Sequence, residues 1–190
     1  MKRTRWLVAA LLCLALVLPL GASAEDALLR STLRLMPEGQ EMLIDVVLFR
    51  WEGILSLWYA PEDFVPMVTR QGLRFELIDN ELGRPVFFQV ENHFDPSGFT
   101  PGTLADIQAV YEQAGWACEP LDTKGRLPDF QQEPPEGFIA RRDSQVAQVL
   151  VTQVASGAYA VTMQCPEEAS EGWGARMQQM LDTLKVLPGE

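Results

Sequence analysis

Apolar residues fall into three spacings along this chain: one unbroken run, several stretches of alternation, and two stretches with a period of three to four. The run covers residues 6–20. Alternation follows it. Residues 32–36 and 41–49 read as strands around Pro37-Glu38-Gly39, with proline second and glycine fourth as type I turns favour. Residues 54–59 read as a third strand, and Pro61 and Pro66 bracket a short irregular stretch. Residues 73–78 and 86–91 form another hairpin across Asp79-Asn80-Glu81-Leu82-Gly83-Arg84, a loop of turn formers.

The period then changes. Leu104, Ile107, Tyr111 and Ala114 make one apolar helical face behind Thr103, with Asp106 three residues after it, which is an N-cap signature. Gly115 is placed to stop that helix. Residues 119–136 hold four prolines and little periodicity, and read as a long surface loop. Strand patterns return at residues 138–140, 145–155 and 158–164, with Ser156-Gly157 as a tight turn. Trp173, Met177, Met180, Leu181 and Leu184 then form the stripe of a closing helix that Pro188 ends. The expected core joins Val149, Val151, Tyr159, Val161, Met177, Leu181 and Leu184. The whole reads as an α+β domain with an antiparallel sheet of hairpins, an internal helix and a C-terminal helix. Helices on both sides of the sheet would explain residues 149–151, which are apolar on both faces.

The apolar run is a different matter. Lys2, Arg3 and Arg5 precede it and Gly21-Ala22-Ser23-Ala24 follow it, the three-part pattern of a secretory leader. As a helix the run would reach only about 22 Å, against roughly 30 Å of bilayer hydrocarbon. Cleavage after Ala24 is expected, leaving residues 25–190 as a single extracytoplasmic domain, secreted or held in the periplasm or cell envelope. Cys13 leaves with the leader, and Ala10-Leu11-Leu12 ahead of it offers no lipobox.

Removing the leader sharpens the charge. The 15 Lys+Arg fall to 12 against 26 Asp+Glu, a balance of −14. Such a domain repels phosphate backbones and anionic headgroups, which excludes nucleic acid and membrane-surface partners from the expectation. It also leaves an even pair, Cys118 and Cys165, expected as a disulfide in an oxidising compartment and otherwise two buried thiols. A bond closing this 47-position loop would stabilise by about 4 kcal/mol in the chain-entropy model.

An N-terminal hairpin, then an apolar strand running into Trp58-Tyr59-Ala60-Pro61-Glu62-Asp63-Phe64, resembles the small PsbP/Mog1-like extracytoplasmic domains of bacteria. A late hairpin, a Pro-acidic turn and a closing amphipathic helix continue the likeness over most of residues 31–187. The resemblance implies an α/β/α sandwich and a binding, assembly or chaperone-like accessory role. It carries over no catalytic residue.

The residues themselves offer little chemistry. His93 is the single histidine; Asp95 could orient it and Ser97 could serve as nucleophile, but Pro96 begins a turn there and no nucleophile elbow exists. Glu167, Glu168 and Glu171 match no calcium loop and suit the positive end of the last helix, beside Pro166. No phosphate loop, Cys-x-x-Cys motif or Asn-x-Ser/Thr sequon occurs. No catalytic residue, metal or cofactor is therefore expected. Trp51 and Trp58 are expected in the core, with an exposed aromatic patch as the alternative. The functional expectation is a non-enzymatic binding or accessory domain for an extracytoplasmic protein, peptide or glycan. Its partner surface is placed at Trp58, Asp63 and Phe64 and, on the Pro-rich loop, at Asp129 and Phe130. A small hydrolase using a carboxylate pair is the alternative.

Overall fold

The computed structural model describes residues 29–35, 40–51, 55–69, 72–93, 103–123, 135–154 and 157–186. The leader, the turn at Pro37-Glu38-Gly39, the Asp95 and Ser97 pair, Asp129, Phe130, Ser156 and Pro188 lie outside the described residues. The described residues form eleven strands and two α-helices: β1 (Arg30–Leu35), β2 (Met42–Trp51), β3 (Leu55–Tyr59), β4 (Phe64–Val68), β5 (Gly72–Leu77), β6 (Phe87–His93), α1 (Leu104–Gln113), β7 (Ala117–Pro120), β8 (Glu136–Arg142), β9 (Gln145–Val154), β10 (Gly157–Pro166), α2 (Ser170–Thr183) and β11 (Lys185–Val186). They make two antiparallel sheets, β1-β2-β3-β11 and β4-β5-β6-β10-β9-β8-β7. The fold is α+β.

Chain order and sheet order part company after β6. The chain leaves β6 for α1, enters the far edge of the sheet as β7, and zigzags back until β10 lies against β6. Strand alternation then gives this sheet two different faces. Tyr159, Val161, Met163 and Cys165 of β10 point into the main core, with Leu73, Phe75, Phe88, Val90 and Leu150 beside them. Val47, Leu55, Leu57 and Tyr59 of the smaller sheet close that core together with Met177, Met180, Leu181 and Leu184 of α2. On the opposite face Ile107 of α1 packs on Phe138, Ala140, Ala147, Val149, Val151 and Ala160. All seven residues expected in one core are buried. They divide between two, however, because Leu150 is the residue opposite Val161, so Val149 and Val151 point the other way.

The same two faces overturn the expected disulfide. Cys118 on β7 lies opposite Ala140, which lies opposite Ala147, which lies opposite Gln164. Three strand spacings, about 14 Å, therefore separate Cys118 from β10, whereas a cystine needs Cα atoms within roughly 7 Å. Cys118 also packs against the second core and Cys165 belongs to the first. Both are free thiols.

Both helix ends of α1 are built as the sequence predicts. The Thr103 side chain accepts from the Asp106 N–H while Asp106 reaches back to the Thr103 N–H, completing a capping box. At the other end Gly115 (φ +84°) donates to Glu112 and Trp116 donates to Tyr111, the two bonds of a Schellman motif. The Tyr111 and Trp116 rings then meet at 5.6 Å, supplying the apolar contact that accompanies it. Helix α2 stops earlier than expected. The Thr183 hydroxyl approaches the Gln179 and Met180 carbonyls, Leu184 is extended, and Lys185 pairs with Ser56 in β11.

Two short strands were hidden by proline. β7 runs into Pro120 and β4 contains Pro66, and both are sheet edges, where a missing N–H costs no ladder bond. Thr69 donates to Gly72 and Ile78 to Asp63, so Phe64, Pro66 and Val68 turn their backbones outward. Gly72 opens β5 because a Cβ there would lie 2.0 Å from the Val90 carbonyl oxygen. Among the described residues no helix is long and apolar enough to cross a membrane.

Candidate functional site

The turn at Pro61-Glu62-Asp63 links the two sheets. The Ala60 carbonyl accepts from the N–H groups of Asp63 (3.2 Å) and Phe64 (3.0 Å), and the Asp63 carbonyl accepts from Ile78 (2.8 Å). Helix α2 fixes the turn from outside. Arg176 Nε donates to Asp63 Oδ2 at 2.9 Å, and its guanidinium lies 4.8 Å from the centre of the Trp173 ring. Trp173 in turn meets the Phe64 ring edge-on at 6.0 Å. One turn earlier in the chain, the Trp58 N–H donates to Thr183 Oγ1 (3.1 Å) and its carbonyl accepts from Gln179 (3.3 Å). Tyr59 packs at 4.9 Å on Phe75, and burial pushes its hydroxyl above the ordinary tyrosine range. Trp58, Tyr59, Asp63 and Phe64, on either side of the exposed Pro61 and Glu62, are thus each held by α2 or the core.

A cleft of about 300 Å³ opens beside this turn. Arg30 and Thr32 of β1, Asp45 and Val47 of β2, and Pro61 and Glu62 of the turn line it. Register explains the grouping. Arg30 lies opposite Val47 and Thr32 opposite Asp45, so these four side chains share one face of the hairpin. Thr32 Oγ1 donates to Asp45 Oδ1 at 3.0 Å. Arg30 is exposed and has no ion-pair partner among the described residues. The volume is at the small end for ligand pockets, about 300 to 1,000 Å³, and the open walls mix polar side chains with Val46, Val47 and Pro61.

The residues expected at a partner surface divide. Trp58 is half-buried, Asp63 is tied up by Arg176, and Trp51 packs against the main core. Phe64 is a correction. It is 1% exposed, because alternation in β4 turns it onto the same face as Phe75 and under Trp173. It can present nothing to a partner. Pro61 and Glu62, between the expected Trp58 and Asp63, are the exposed residues of the element.

Arg176, Thr183, Arg30 and Asp45 escaped the sequence reading. Arg176 and Asp63 are 113 positions apart, and no local pattern pairs them. Among the described residues no Asp or Glu side chain is buried, and no three His, Cys, Asp or Glu converge on a point. The His93 side chain is not among those described. Glu167 and Glu168 lie in a 3-10 turn ahead of α2, where Glu168 reaches Arg84 at 3.1 Å and Glu167 reaches Arg141 at 3.5 Å.

No protein-family model matches the chain, and no curated protein matches it.

Proposed function

We propose that this chain is a non-enzymatic binding or accessory domain working outside the cytoplasm, and that it takes a partner at the cleft beside the Pro61-Glu62-Asp63 turn. The observation that carries this reading is the state of the carboxylates. A carboxylate-pair hydrolase needs one carboxyl kept protonated near neutral pH, which calls for an apolar, desolvated setting. Both acids of the cleft, Asp45 and Glu62, are exposed. An exposed cleft that sets Arg30, unpaired among the described residues, with hydroxyls and carboxylates beside Val46, Val47 and Pro61 is fitted to recognise a ligand rather than to activate it. The leader-like N-terminus supports the location, and the resemblance to PsbP/Mog1-like domains supports an accessory role.

The test is capture from the envelope of the host. Immobilised protein is expected to retain a partner, and Glu62→Lys to weaken retention without shifting the unfolding midpoint. Turnover of a glycan or peptide that disappears when one carboxylate is removed would replace this reading with the hydrolase.

A further inference from the structure

The four sheet edges differ in what their backbones offer. On β4 the outward Phe64 N–H is already given to Ala60 and Pro66 has none, so that edge is nearly without donors. β7 ends in proline after four residues, and β11 has only two. β1 has six residues and no proline. Leu48 donates to the Leu29 carbonyl at 2.9 Å, so alternation turns the N–H and C=O groups of Arg30, Thr32 and Arg34 away from β2. All three residues are exposed.

Charge makes this edge unlike the rest of the chain. A protein with 26 acids against 15 bases carries here Arg-Ser-Thr-Leu-Arg-Leu, two arginines and no acid. Arg34 meets Glu41 at 3.0 Å in a well-exposed pair, and Arg30 meets no carboxylate among the described residues. The other side-chain row is partly open and apolar on either side of exposed Ser31: Leu29, 53% exposed, and Leu33, half-buried.

We propose that β1 is a docking edge for an extended segment of a partner protein. The segment would carry carboxylates on one side-chain row and β-branched apolar residues on the other. It adds as a fifth strand to the smaller sheet. Backbone bonds to Arg30, Thr32 and Arg34 supply affinity, and the two guanidinium groups select acids four positions apart, on either side of the residue opposite Thr32. The residue opposite Thr32 then stands at the mouth of the cleft. A second copy of this chain fits less well. Antiparallel pairing about Thr32 sets Arg30 against Arg34, and like charges directly opposite destabilise a strand pair. The net negative charge of the whole chain opposes an acidic partner only weakly, because exposed charges beyond about 8 Å are largely screened at physiological salt.

This proposal rests on the reading of the chain as a binder, and the two fail separately. Titration calorimetry is run with an acetylated, amidated heptapeptide of sequence Val-Glu-Val-Thr-Val-Glu-Val. Binding is expected, about tenfold weaker when both glutamates are lysine, and lost when the central threonine is N-methylated. Thr32→Pro removes an outward N–H without touching a β1–β2 bond and is expected to abolish binding. If that variant fails to fold, the N-methylated peptide decides alone. Equal binding of all three peptides, or none at millimolar concentration, overturns the proposal. So does a concentration-dependent dimer that Thr32→Pro dissolves, which would assign the edge to self-pairing. If folded Thr32→Pro still captures a partner from the envelope, the binder stands and the edge is wrong.

Discussion

Asp63 and Arg176 face each other across 113 positions of chain, each about three-quarters buried, with Nε and Oδ2 2.9 Å apart. Exposed ion pairs contribute roughly 0 to 1 kcal/mol, but this one is partly shielded and its charged groups have few substitute partners. Asp63→Ala is expected to cost about 1 to 3 kcal/mol in urea unfolding. The double variant with Arg176→Ala should cost less than the two single changes summed, since each single change strands the other charge. Strict additivity would show that the contact does not fasten the turn to α2.

The two cysteines give a chemical test of the sheet order. Intact mass after alkylation of the unfolded, unreduced protein should show both Cys118 and Cys165 modified. In the folded protein Cys118, half-buried at an edge strand, should react first. Cys165 is buried, and burial, then the nearby Glu168, pushes its thiol up to about 11. Little thiolate exists there at pH 8, so labelling waits for opening. Recovery of a Cys118–Cys165 cystine would contradict the register from β7 to β10.

The same thiol makes a prediction about alkaline pH. Below its ordinary value of 9.0, Cys165 is protonated in both folded and unfolded chains, and its burial costs nothing extra. Between 9.0 and about 11 the unfolded chain ionises first, so it binds fewer protons and stability falls as pH rises. The slope is at most about 1.4 kcal/mol per pH unit. Tyr59 and Tyr111, both raised by burial, add to the fall at the upper end. Urea midpoints should therefore drop less steeply with pH in Cys165→Ala than in the native protein. Parallel curves would mean that the thiol ionises freely in the fold.

Separate cores predict separate costs. Leu181→Ala empties the main core, where the residue is fully buried, and should cost about 2 to 5 kcal/mol. Phe138→Ala empties the core under α1 and should cost about 3 to 5 kcal/mol. With the sheet between the two sites, the double variant should be close to additive. A large coupling measured by denaturant unfolding would mean that the cores share packing that the two faces do not show.

Local patterns carried most of the element order. The β1–β2, β5–β6 and β9–β10 hairpins, α1 with its cap and its glycine stop, and the stripe of α2 all follow from alternation, period and turn chemistry. What failed was long-range or edge-dependent. Pro66 reads as a loop unless one knows that β4 is an edge. Cys118 and Cys165 look like partners until the return of β10 to β6 puts them on opposite faces. Phe64 sits in a turn-like stretch, and only its pairing with Leu77 shows that it points inward. The cleft depends on Arg30, Asp45 and Glu62 coming from three segments, and no spacing announces that.

A sheet with a core on each side does not breathe evenly. β9 and β10 are laddered on both flanks and packed on both faces, so their amides can exchange with solvent only when the whole structure opens. α1 rests on the smaller core from one side and joins the rest through β7, the shortest strand of the seven. It can lift away while the main core stays shut. The first breath of this protein would then bare Phe138 and Val149 while the Pro61-Glu62-Asp63 turn and its cleft keep their shape, and partner capture would outlast the loss of the smaller core.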